Sequence, residues 1–153
     1  MMSVIVRTMT KLIMPAVLVF GFYVIMHGHV TVGGGFQGGA VVASAAALVL
    51  VAFGSERIRQ HLKISDLTTL SCAGALLFAG LGFAGMGSTF LNNFLVGSSL
   101  FGHIPEFGPA HEDIWTAGVI APMNIGVGLN VVASLSAIMI LMALASRKKG
   151  DEE

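Results

Sequence analysis

Apolar positions along this chain fall into three long blocks rather than the alternating or single-stripe spacing of a water-soluble fold. Residues 12–55, 67–105 and 114–146 contain no Lys, Arg, Asp or Glu, in runs of 44, 39 and 33 positions. A hydrocarbon core takes about 20 apolar residues per helical span, so each run is long enough to cross it. The first run drawn as one helix at ~1.5 Å per residue would measure about 66 Å, roughly twice the ~30 Å core. It has to turn, and the place is the glycine-rich stretch 27–39, HGHVTVGGGFQGG. Spans are predicted at about 12–27, 38–54, 67–87 and 122–146. Asp66 is placed to cap the third and favour its dipole, and Pro122 suits the first turn of the fourth. The stretch 88–121 mixes Asn92, Asn93, Ser98 and Ser99 with Phe and Leu, and reads as an outward interfacial or re-entrant segment rather than a fifth span. The predicted fold class is an all-α integral membrane protein, one domain over residues 1–153 with four transmembrane helices.

Composition supports that pattern. Charged residues make up 10% of the chain, against about 25% in a typical soluble domain, apolar residues make up 55%, and mean hydropathy is +0.87. The charges sit in four patches, 7–11, 56–66, 106–113 and 147–153. With four spans, Arg7, Lys11, Arg57, Arg59, Lys63, Arg147, Lys148 and Lys149 all fall on one side. The other side has only the acidic Glu106, Glu112 and Asp113. The positive-inside rule then puts both termini in the cytoplasm. An odd number of spans would break the split. The first segment resembles a signal peptide only superficially, because it ends in His27-Gly28-His29 with no small-x-small cleavage site. Zero net charge gives no basic field for nucleic acid. A single cysteine, Cys72, excludes an intrachain disulfide and a cysteine-based zinc site.

Candidate chemistry is sparse. Gly33, Gly35 and Gly38 spell GxGxxG, but a dinucleotide fold needs a preceding strand and an acidic residue about twenty positions on. Membrane-length apolar runs flank this one, and position 53 is Phe53. The loop instead reads as a tight return packing against another chain, with Gln37 as its polar handle. His27 and His29 stand two apart, about 200° around a helix, and cannot face one iron. His103 and His111, near Glu106, Glu112 and Asp113, lack a recognised zinc spacing. No catalytic, cofactor or metal residues are therefore assigned. His27 and His29 remain possible members of a proton or ion path, because imidazole titrates near neutral pH. Asn124, Asn130 and Ser134 join them as polar residues inside a span. Ion carriers normally place ionisable groups at membrane depth, and none of the four spans has Lys, Arg, Asp or Glu well inside it. Gly39, Ala43 and Ala47, and Ser71, Ala75 and Ala79, form small-xxx-small faces. These are expected to be taken up by neighbouring subunits.

The run HGHVTVGGGFQGG, the hydrophobic span after it and PMNIGVGL at 122–129 resemble the MrpB (MnhB) family over about residues 5–145. Its members are small subunits of multi-subunit Mrp sodium/proton antiporters. The family also supplies a subunit to the antiporter-like module of archaeal membrane-bound hydrogenases and sulfane sulfur reductases. The resemblance implies four transmembrane helices, no chemistry of its own, and hetero-oligomeric assembly with other hydrophobic Mrp-type subunits in a prokaryotic cell membrane. Na+ and H+ would be the transported ions. His29, Gly33, Gly34, Gly35, Phe36, Gly38 and Gly39 are then expected to form the inter-subunit motif. The chain departs from the family pattern in having Val32 for a proline, Asn124 where antiporter members often carry aspartate, and Asn130 where archaeal-type members commonly carry lysine. Those departures favour a subunit of a redox-driven complex over a stand-alone antiporter. Two readings from other classes are a self-sufficient homo-oligomeric ion channel and a membrane anchor of a redox enzyme.

Overall fold

The computed structural model describes residues 3–55, 58, 62–87, 89–104 and 114–150. Four helices organise it: α1 (Val4–His27), α2 (Gly35–Phe53), α3 (Ile64–Ala84) and α4 (Ile120–Gly150). Each is long and apolar enough to cross a membrane. Among the described residues the only extended pairing is an isolated bridge between His103 and Thr116. Arg57, Arg59, Glu106, His111, Glu112 and Asp113 lie outside the described residues.

Three helices begin earlier than the apolar blocks suggest. α1 starts at Val4, capped by Ser3, whose Oγ accepts from Val6 N at 3.4 Å. Arg7 and Lys11 lie inside the helix rather than before it. A charge ends a hydrocarbon run but not a helix, and Arg and Lys are good helix formers. α3 likewise starts at Ile64, with Lys63 at the N-cap and no side-chain cap bond. Asp66 therefore occupies the first turn, where it favours the dipole, and does not cap the helix as expected. α2 starts at Gly35 rather than about 38, because two of its orphan amides find acceptors. Gly34 N donates to Gln37 Oε1 at 2.8 Å and Gly35 N donates to Asn124 Oδ1 at 2.5 Å. Gln37, expected as a handle for a partner, thus reaches back to its own helix end, as in half of a capping box. Pro122 does lie in the first turn of α4.

The helices pack in the order α1, α2, α4, α3. α4 also touches α1 lightly, whereas α1 and α3 form no packed interface. Close approach is made by glycines, as expected where lipid provides no hydrophobic drive between helices. A Cβ on Gly38 would stand 2.8 Å from both Gly21 O and Ile25 N of α1. On Gly39 it would stand 2.9 Å from Gly128 O of α4. On Gly74 of α3 it would stand 2.5 Å from Gly126 O. The stripe Gly39–Ala43 is therefore buried by the chain's own helices, not left for a neighbour. On α3 the inward stripe is Leu67, Ser71 and Gly74, at i, i+4 and i+7, while Ala79 is exposed and Ala75, also exposed, lines a cavity shared with α4. At the end opposite the glycine loop, Ile58, Leu67 and Ile140 form a small core with Val49, Leu50 and Leu144 around it.

Candidate functional site

The polar residues of the spans gather at two interfaces, both made by α4. At the first, α4 begins under the loop joining α1 to α2. Gly33 has φ +110°, a conformation open to glycine, and turns the chain back from α1. Asn124 then bridges the two helix ends with one amide. Its Oδ1 accepts from Gly35 N at 2.5 Å, and its Nδ2 donates to Ile25 O at 2.6 Å. Ile25 O lies in the last turn of α1 and Gly35 N in the first of α2, so each bond fills a helix-end group that the helix itself leaves open. Only glycine fits around this amide. A Cβ on Gly35 would overlap Asn124 O and stand 2.9 Å from Gly128 N, and one on Gly28 would overlap Asn124 Nδ2. With Gly34 N on Gln37 and Gly35 N on Asn124, the first amides of α2 face protein acceptors, not a phosphate.

The second interface lies farther along α4, against α3. Ser71 Oγ donates to Asn130 Oδ1 at 3.2 Å and lies 2.9 Å from Ser134 Oγ, and Ser134 Oγ donates to Asn130 Oδ1 at 3.0 Å. Beside it is a cavity of about 320 Å³ lined by Gly74, Phe78, Gly126, Val127 and Asn130. Asn124 and Asn130 are six residues apart, about 240° around the helix, so they serve different interfaces and do not form one polar face.

The histidines sit at the glycine-loop end. His27 closes α1, its Nδ1–H donating to Tyr23 O at 3.1 Å, and its ring stacks on Tyr23 at 4.1 Å between centroids. That bond places the proton on Nδ1 and leaves Nε2 as the proton-accepting nitrogen. His29 is half-buried in the following turn. Among the described residues, no three His, Cys, Asp or Glu are placed to hold a metal.

Residues 5–137 match the family described as "Domain related to MnhB subunit of Na+/H+ antiporter". The chain belongs to the MnhB family. It is 33% identical over 141 residues to a Staphylococcus haemolyticus protein named "Putative antiporter subunit mnhB2", covering 92% of this chain and 94% of that one. A protein of the same name from Staphylococcus aureus strain Newman is 32% identical over 143 residues, with the same coverage. An uncharacterized protein of Methanocaldococcus jannaschii is 41% identical over 129 residues, 80% of this chain, but this chain spans only 45% of that protein's length. The chain is thus an MnhB-type antiporter subunit and a multi-pass membrane protein.

Within this MnhB chain the glycine motif divides. Gly35, Gly38 and Gly39 are buried against α1 and α4. Phe36, one residue along, is 61% exposed, and Val32 is fully exposed. The loop therefore ties its own helices together and turns two apolar side chains outward. A further tie stood in the sequence without an assigned role. Asn93 Oδ1 accepts from Val119 N at 2.7 Å and its Nδ2 donates to Ala117 O at 3.0 Å, pinning the outer segment to the start of α4. The asparagine pair Asn92-Asn93, set between Leu91 and Phe94, was the available signal.

Proposed function

We propose that this chain is a non-catalytic packing subunit of a multi-subunit sodium/proton-translocating module in a prokaryotic cell membrane, with both termini in the cytoplasm. The observation that supports this most is how its membrane-embedded polar groups are used. Asn124, Asn130, Ser71 and Ser134 bond helix to helix, and no Lys, Arg, Asp or Glu occurs in 12–55, 67–105 or 114–146. A carrier needs groups that bind and release charge at depth. Here those steps belong to neighbouring subunits, which meet this one through Phe36, Val32 and the outward face of α3. Attachment to a redox-driven complex, a membrane-bound hydrogenase or sulfane sulfur reductase, rests on the uncharged Asn124 and Asn130. His27, with Nε2 open to a proton, is the residue of this chain best suited to border a proton path.

Mild extraction of the native membrane followed by mass spectrometry of the intact assembly tests the reading. Several different hydrophobic subunits on this chain are expected, and metal-carrying redox subunits among them select the redox branch. An assembly made of this chain alone would overturn it.

A further inference from the structure

Because α1 and α3 do not pack, a crevice of about 610 Å³ opens between them, walled by Leu18 of α1, Ala46 and Val49 of α2 and Leu70 of α3, with Val132 of α4 behind. Its volume is within the roughly 300–1,000 Å³ of ligand clefts. Its walls are apolar except for two residues, Lys11 on α1 and the buried Ser136 on α4. Water does not suit it, since each buried water needs two to four polar partners.

The end of the crevice is basic. Lys11 lines it and is exposed to the surroundings. Arg7 precedes Lys11 by four residues, on the same helix face, and its buried Nε has no hydrogen-bond partner among the described residues. Lys63 stands at the N-cap of α3 at the same end, where Ile58 also lines the crevice. Asp66, in the first turn of α3, is exposed. Lys11, Arg7 and Lys63, against the single carboxylate of Asp66, leave an excess of positive charge beside an apolar slot, which suits a ligand that is an anion at one end and hydrocarbon at the other. A partner's helix, about 10–12 Å across, would match both features only with an acidic residue set opposite Lys11 and Arg7, whereas an anionic lipid carries both in one molecule.

We propose that this crevice is a binding site for one anionic phospholipid, its acyl chain between α1 and α3 and its phosphate at Lys11 and Arg7. Basic pockets between transmembrane helices recognise anionic head groups in this way. The site does not depend on the antiporter reading.

The test uses the full chain in its native complex, exchanged into nanodiscs of phosphatidylcholine doped with phosphatidylglycerol of identical acyl chains. Lipids retained after gentle release are counted by mass spectrometry. One phosphatidylglycerol per chain is expected, with phosphatidylcholine lost. Lys11→Glu and Lys11→Gln should each lower retention, the charge reversal by about tenfold. Lys11→Arg should keep it. Ala46→Phe, which fills the crevice and leaves Lys11 in place, should also lower retention. Equal retention of the two lipids, retention unchanged in the Lys11 variants, or release by millimolar inorganic phosphate would overturn the proposal, the last by showing an anion site with no need of a tail.

Discussion

A single amide shows how this chain uses polarity. Asn124 satisfies a carbonyl at the end of α1 and an N–H at the start of α2. Removing it leaves both without this partner in a medium that offers no substitute. Asn124→Leu should destabilise the folded chain by about 2 kcal/mol, read by reversible unfolding in mixed micelles. An unchanged midpoint would show that the amide is dispensable. The glycines give a sharper contrast. A side chain at Gly38 would press on the backbone of Gly21 and Ile25, whereas Gly80 has nothing within 4 Å. Gly38→Leu should therefore abolish the folded monomer and Gly80→Leu leave its stability unchanged, as measured by the same unfolding. The residues of this node were legible in the sequence, since the glycine motif and Asn124 both stood out there. Their pairing was not. Spacing shows where small residues and asparagines lie, but the contact spans 89 positions of chain, and only the packing of α4 under the loop brings it about.

Among the elements, α4 is the hub. It joins the α1–α2 pair to α3 through faces set by Asn124 on one side and Asn130 and Ser134 on the other. Interhelical hydrogen bonds in membranes are worth about 0.6 kcal/mol on average and up to about 1.7. A double-mutant cycle on Ser71→Ala and Asn130→Leu should give a coupling in that range, and a value of zero would mean that the two helices are held by packing alone. The charge-free runs marked the spans well because hydrocarbon excludes charge whatever the fold. They marked helix starts poorly at α1 and α3, because Arg7, Lys11 and Asp66 are compatible with helix. They also could not show what fills a small-residue face. Gly39 and Ala43 turned out to face their own chain, Ala79 the outside, and Ala75 a cavity against α4.

Taken whole, the molecule is a set of apolar helices whose outer surfaces are also apolar. Val4, Leu12, Phe20 and Phe22 of α1 and Leu76 and Phe83 of α3 are all exposed, an arrangement suited to lipid and to neighbouring subunits and not to water. The proposed orientation rests on the sequence, where four spans put all eight Lys and Arg on one side. With Cys72→Ser as background, a cysteine at Lys63 should react with an impermeant maleimide from the cytoplasmic side and one at Gly97 from the opposite side. Labelling of both from the same side would contradict the four-span topology.

The central claim, that this chain organises a translocating module without itself moving ions, is tested most directly in proteoliposomes. The purified chain alone should show no sodium-dependent proton movement. The complete complex should show it, and the complex assembled without this chain should lose it. Sodium/proton exchange by the isolated chain would contradict the account.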